Sequence, residues 1–164
     1  MGNNEQTSGS KGPNPKQLNP MALALAEAEA AAARGEVPVG AVIVDEKGIV
    51  LAQAGNRTLE LKDPTAHAEL LVIRQAAAKR DSERLIGCDL YVTLEPCTMC
   101  AGAISFARFR RLYYAAADEK GGGVDHGVRF FSQATCHHRP EVYGGLSEEP
   151  ARALLQRFFA ERRE

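Results

Sequence analysis

Residues 37–44, Val-Pro-Val-Gly-Ala-Val-Ile-Val, restrict the fold more than any other stretch of the chain. The run is short, rich in β-branched residues and free of charge, as a strand buried on both faces must be. A sheet containing such a strand needs covering on both sides. The neighbouring sequence supplies the covers. Asn19 and Pro20 read as an N-cap and first helical residue, residues 21–34 are Ala- and Leu-rich, and Gly35 is a helix stop. Residues 45–48, Asp-Glu-Lys-Gly, form a turn, and 49–54 return as a hairpin partner.

Further along, Asp63-Pro64-Thr65 predicts the start of a second helix reaching about residue 79. Residues 90–94 read as a third strand, Pro96 opens a third helix to about 107, and 111–116 form a Tyr-rich fourth strand. A Gly- and His-rich stretch covers 119–140, a short fifth strand is expected at 141–143, and Ser147 caps a last helix through 163. A helix, a hairpin, then alternating strands and helices predict an α/β fold with helices on both sheet faces.

Residues 2–20 carry one apolar side chain, Leu18, and residues 1–19 are expected to form a disordered tail before a single domain over 20–164. The 164-residue chain has 20 basic and 21 acidic residues, a net charge of −1, which excludes nucleic-acid binding by bulk positive charge but allows a local patch. No apolar run approaches the ~20 residues that span a bilayer. The four cysteines, without a signal segment, predict a reducing compartment, the cytoplasm, and thiol or metal chemistry.

Two short motifs carry that chemistry. His67-Ala68-Glu69 opens the second predicted helix, and Pro96-Cys97-Thr98-Met99-Cys100 opens the third. Zinc prefers thiolate and imidazole ligands, and a catalytic zinc keeps one coordination position free. Cys97 and Cys100, three apart, share a helix face, and a helix start favours the thiolate form. His67 supplies a third ligand, while Glu69 points elsewhere and is suited to carrying protons. A Cys-x-x-Cys pair alone reads as a structural zinc half-site or a redox pair. The two motifs together, each at a helix start, match the signature of zinc nucleobase deaminases.

The sequence around them resembles the bacterial tRNA-specific adenosine deaminases, within the cytidine deaminase-like superfamily. The resemblance runs from about Met21 into the last helix and rests on Gly35-Glu36-Val37-Pro38-Val39-Gly40-Ala41-Val42, on Asp63-Pro64-Thr65-Ala66-His67-Ala68-Glu69, and on residues 90–104 around Leu94-Glu95-Pro96-Cys97. It implies a three-layer fold, a mixed five-stranded sheet between helices, and a homodimer with one zinc per subunit. The implied reaction is hydrolytic deamination of the wobble adenosine of a tRNA anticodon to inosine. His67, Cys97 and Cys100 match the metal ligands and Glu69 the proton shuttle. Asn56 matches the asparagine that bonds the flipped base, Ala68 is expected at the substrate, and Asp118 falls where the family meets the anticodon-loop backbone.

Departures from the family pattern keep a second reading open. Gly55 stands before Asn56 where His or Trp is common, removing a side chain expected near the base. Residues 121–140 differ from the usual segment, and His137 replaces a common Asn. A zinc deaminase of a free base or nucleoside, of guanine, cytosine or cytidine type, shares the motifs and needs no RNA groove. Arg108, Arg110, Arg111, Arg157, Arg162 and Arg163, with Phe130, Phe131, Phe158 and Phe159, are the candidates for RNA contact.

Overall fold

A computed structural model of the chain describes residues 19–163. The tail expected over 1–19 lies, except for Asn19, outside the described residues. The elements are α1 (Pro20–Ala33), β1 (Gly40–Val44), β2 (Val50–Gly55), α2 (Ala68–Arg80), β3 (Asp89–Leu94), α3 (Thr98–Ala107), β4 (Arg111–Ala116), a 3₁₀ turn (Phe130–Ser132), β5 (Glu141–Gly144) and α4 (Glu148–Glu161). The strands order β2-β1-β3-β4-β5. β1 is antiparallel to both neighbours, whereas β3, β4 and β5 run parallel. This is the mixed five-stranded sheet of the cytidine deaminase-like fold.

β1 shows why the sheet needs two covers. Ala41 and Ile43 join a core with Val72 and Ala76 of α2 and Ile104 of α3. Val42 and Val44 join a second core with Met21 and Ala24 of α1 and Ala151 of α4. Alternating residues of one strand thus serve opposite layers.

α1 lies unusually close to the sheet, and two glycines allow it. Gly40 and Gly55 face each other across β1 and β2. A Cβ on Gly40 would sit 1.9 Å from the Ala24 carbonyl oxygen, and one on Gly55 2.6 Å from that of Glu27. Position 55 therefore points at α1. The side chain expected near the base from this position has no path there in this chain.

Several element ends differ from expectation. β1 begins at Gly40, not at 37, because the Val39 N–H donates to the Val37 carbonyl (2.8 Å) in a tight turn that leaves the ladder. α2 begins at Ala68: Asp63 instead accepts from the Thr65 N–H (2.8 Å) and hydroxyl (2.7 Å), closing a local turn that imitates a cap. Asn19 caps α1 as expected, accepting from the Met21 N–H at 3.0 Å. Ser147 precedes α4 with φ of 60° and no side-chain cap bond; Glu148 and Glu149 in the first turn face the helix dipole instead. Among the described residues no helix is long and apolar enough to cross a membrane.

Candidate active site

β3 and β4 are parallel, so both end at the same edge of the sheet, and the starts of α2 and α3 meet there. Ligand sites in open α/β sheets form at such strand ends. His67 occupies the N-cap position of α2 and Cys97 that of α3, yet neither side chain caps its helix. Both turn inward toward each other. His67 Nδ1 lies 3.6 Å from Cys97 Sγ and 3.5 Å from Cys100 Sγ.

These distances test the site against zinc. A tetrahedral ion with bonds of about 2.3 Å to sulfur and about 2.0–2.1 Å to nitrogen separates those atoms by about 3.6 Å. The three donor atoms all lie within 4.8 Å of one another, one nitrogen and two sulfurs, and fit the metal. Cys97 is the N-cap and not a helical residue, so the pair meets His67 from the turn rather than along one helix face.

The thiols share a proton unevenly. A hydrogen bond from Cys100, aided by His67, pulls the Cys97 thiol down to about 4. The same bond to Cys97, together with burial, pushes Cys100 strongly up. Hydrogen bonding to Cys97 also raises His67, against its burial. Glu69 is buried at 4% exposure, and burial raises its carboxyl above the ordinary range.

A cavity of about 280 Å³ opens beside the triad, lined among others by Val37, Val39, Asn56, His67, Glu69, Leu94, Cys97 and Asp118. Its size is near the lower bound for small-molecule sites and admits one ring system. Asn56 is buried, and its Oδ1 accepts from the Ala68 N–H at 2.8 Å. That bond fixes the amide, leaving Nδ2 as the free donor. Ala68 itself is fully buried with its N–H committed to Asn56, so it acts on the site through that side chain. Asp118 accepts from the Lys120 and Gly121 N–H groups, a turn at the cavity wall.

Two buried carboxylates at this edge escaped the sequence reading. Glu36, 2% exposed, accepts from the Leu59 N–H (2.9 Å), the Glu60 N–H (3.0 Å) and the Thr58 hydroxyl (3.4 Å). Glu95, also 2% exposed, accepts from the N–H groups of Asp118, Val124, Asp125 and His126 and from the His126 ring. Burial raises the Glu95 carboxyl, but His126 and the Asp118, His126 and Val124 amides outweigh it and hold it below the ordinary range.

The expected RNA-contact candidates mostly lie elsewhere. Arg110 pairs with Asp89 (2.7 Å) and Arg111 with Glu141 (2.9 Å) at the start of β4, the opposite end of that strand from Asp118. Arg162 stacks on Phe158, 3.3 Å from the ring centroid. Phe131 and Phe158 are buried. Cys88 is buried and Cys136 half-buried, and all four cysteines are free.

Residues 15–116 match the family model of the cytidine and deoxycytidylate deaminase zinc-binding region. Fold and constellation together define a zinc-dependent hydrolytic deaminase. A tRNA-specific adenosine deaminase of Agrobacterium fabrum is 63% identical over 143 residues, covering 87% of this chain and 93% of the relative. The Bacillus subtilis enzyme of the same name is 40% identical, covering 87% and 88%. This chain belongs to the tRNA-specific adenosine deaminase family. A solved structure from work on A-to-I editing by tRNA:A34 deaminases at the wobble position is 63% identical, with a TM-score of 0.81 over 83% of this chain and 98% of that one. A guanine deaminase of Nitrosomonas europaea is 26% identical, with a TM-score of 0.74 over 90% and 85%.

Proposed function

We propose that this chain hydrolyses adenosine to inosine at the wobble position of a tRNA anticodon. The observation that carries the reading is the triad of His67, Cys97 and Cys100 sharing one small cavity with Glu69 and Asn56, in a chain 63% identical to a tRNA-specific adenosine deaminase. A cavity of about 280 Å³ takes one base, so the adenine must leave its stack to enter.

His67, Cys97 and Cys100 hold one zinc ion per subunit. Bound zinc supplies Lewis acidity and lowers the pKa of water to about 7. Glu69 accepts a proton from the water adding at C6 and delivers it to N1. It then takes the proton of the new C6 hydroxyl and passes it to the exocyclic nitrogen, so that C6=O forms as the C6–N bond breaks, releasing ammonia and leaving inosine. Asn56 Nδ2 donates to the base, and Val37, Val39 and Leu94 form dry walls that strengthen these contacts. Asp118 meets the anticodon-loop backbone through the turn it anchors.

The active form is a homodimer with the cytoplasm as its compartment, where the four free thiols stay reduced. Phe106 on α3, 77% exposed and two turns along the helix from exposed Met99, is the apolar surface that a second copy covers. The test is an ammonia-release and inosine assay of the zinc-loaded chain. An ACG anticodon stem-loop is compared with free adenosine, adenine, guanine, cytosine and cytidine. Inosine in the stem-loop alone is the expected result. Turnover of a free base with an inert stem-loop overturns the substrate and keeps the zinc chemistry.

A further inference from the structure

The cavity is flanked by two loops with no regular ladder of their own. Thr58 belongs to the first, residues 57–62, and Asp118 and Gly121 to the second. Loops of this kind keep one shape only if their N–H groups find fixed acceptors. Each finds a single buried carboxylate. Glu36 stands under the first loop and Glu95 under the second, with partners 22–24 and 23–31 residues away in sequence.

We infer that Glu36 and Glu95 are positioning residues for the substrate, each shaping one side of the cavity mouth by collecting the N–H groups of a flanking loop. The inference rests on the proposed deamination at this cavity but names residues outside the chemistry. Backbone contacts agree with it. A Cβ on Gly122 would meet Glu95 Oε2 at 2.3 Å, and one on Gly123 would meet the Thr98 N at 2.7 Å. The glycine run therefore lets the second loop settle onto Glu95 and the start of α3. The Tyr114 hydroxyl donates to Asp125 and pins the loop from the sheet side.

The two carboxylates differ in what an amide could replace. At Glu36, Oε1 takes the Leu59 and Glu60 N–H groups at 2.9 and 3.0 Å, while Oε2 meets the Thr58 hydroxyl, which can also accept, and makes only a longer second contact with the Leu59 N–H at 3.3 Å. A glutamine with its oxygen in the Oε1 place keeps an acceptor for both N–H groups and gives up only the longer Leu59 contact. At Glu95, Oε2 accepts three backbone N–H groups, while Oε1 accepts from the Asp118 N–H (3.2 Å) and His126 Nδ1 (2.7 Å). A glutamine keeping its oxygen toward the three amides turns an NH₂ on Asp118 and leaves that N–H without an acceptor. Unmet buried donors are costly.

The experiment compares Glu95→Gln, Glu36→Gln, Glu36→Ala and His126→Ala with the parent, all zinc-loaded. Steady-state kinetics on the stem-loop are combined with amide hydrogen exchange and zinc content. Expected for Glu95→Gln and Glu36→Ala is a KM raised about tenfold with kcat within about twofold, zinc retained, and faster exchange confined to the loop concerned. Glu36→Gln should restore both KM and exchange to parent values. His126→Ala, which alters a partly exposed ring, should raise KM in the same direction by a smaller factor. That variant keeps the idea open to refutation if a buried substitution prevents folding. Faster loop exchange with unchanged KM, or a kcat loss with KM unchanged, overturns the assignment. An inert parent on the stem-loop speaks against the deamination reading, while loop-confined exchange still reads the carboxylates' role.

Discussion

The Asn56 side-chain oxygen accepts a hydrogen bond from the Ala68 N–H at 2.8 Å, tying the end of the hairpin to the first residue of α2. One bond therefore orients the donor we propose for the base and satisfies a free N–H at the helix start that also carries His67 and Glu69. Asn56→Asp keeps the acceptor and exchanges the donor for a second acceptor. We expect it to fold with a melting temperature near the parent's and to lose at least tenfold in kcat/KM on the stem-loop. Asn56→Ala should also lower the melting temperature, by the equivalent of about 1–3 kcal/mol. Full activity of Asn56→Asp would remove Nδ2 from base recognition.

Glu69 lies beside the metal donors without being one of them. Glu69→Gln is expected to bind zinc as the parent does, by elemental analysis, while turnover falls about 10²–10⁴-fold. Cys97→Ala should lose metal and activity together. A zinc-replete but active Glu69→Gln, or a Cys97→Ala chain with full zinc, would contradict the assigned roles.

The His126 ring beside Glu95 makes the second loop sensitive to pH. The Glu95 hydrogen bond, with the nearby charges of Glu119 and Asp125, raises His126 above its ordinary 6.5. A group raised on folding stabilises fully below its unfolded pKa, and that contribution is lost as pH climbs through the folded value. The loop's protection factors, exchange rates divided into those of unstructured amides at the same pH, should therefore be highest below about pH 6.5 and fall above the folded pKa of His126. NMR titration of the ring checks the direction, and His126→Ala should erase the dependence. A ring titrating at or below 6.5 would show that Glu95 does not hold the imidazolium.

Gly55→Ala should destabilise the fold without touching the cavity, because the added methyl meets the Glu27 carbonyl at 2.6 Å. The expected cost is about 1–3 kcal/mol, read from thermal melts, with KM unchanged in the folded fraction. Gly40→Ala, aimed at Ala24 from 1.9 Å, should cost more. A raised KM with an unchanged melting temperature in Gly55→Ala would mean that position 55 faces the substrate after all.

Phe106 tests the assembly. Phe106→Glu is expected to convert the proposed dimer to a monomer in sedimentation analysis with circular dichroism unchanged. A Phe106→Glu chain that sediments as the parent does would move the interface to another face.

Much of the site was legible because its chemistry is local. His67, Cys97 and Cys100, whose donor atoms the fold brings together, stand out by residue type and spacing, and Glu69 by its place two residues from His67. The helix starts were harder to read. Asp63 offers a genuine side-chain turn five residues before α2 begins, and a local signal cannot say whether a helix follows at once. Glu36 and Glu95 were illegible for a different reason. Buried glutamates look like surface glutamates in a sequence, and their partners are backbone groups more than twenty residues away. Gly55 misled because its absent side chain was assigned to the substrate, whereas strand alternation turns it toward α1.

His67 and Cys97 occupy cap positions while declining to cap, and this ties the metal donors to the packing of two helices. The nitrogen donor comes from one helix start and the sulfurs from another, so only a chain whose α2 and α3 have already docked offers all three. Metal binding and the packing of these two helices are then coupled, each favouring the other. A polypeptide whose α2 and α3 are apart lacks the complete donor set.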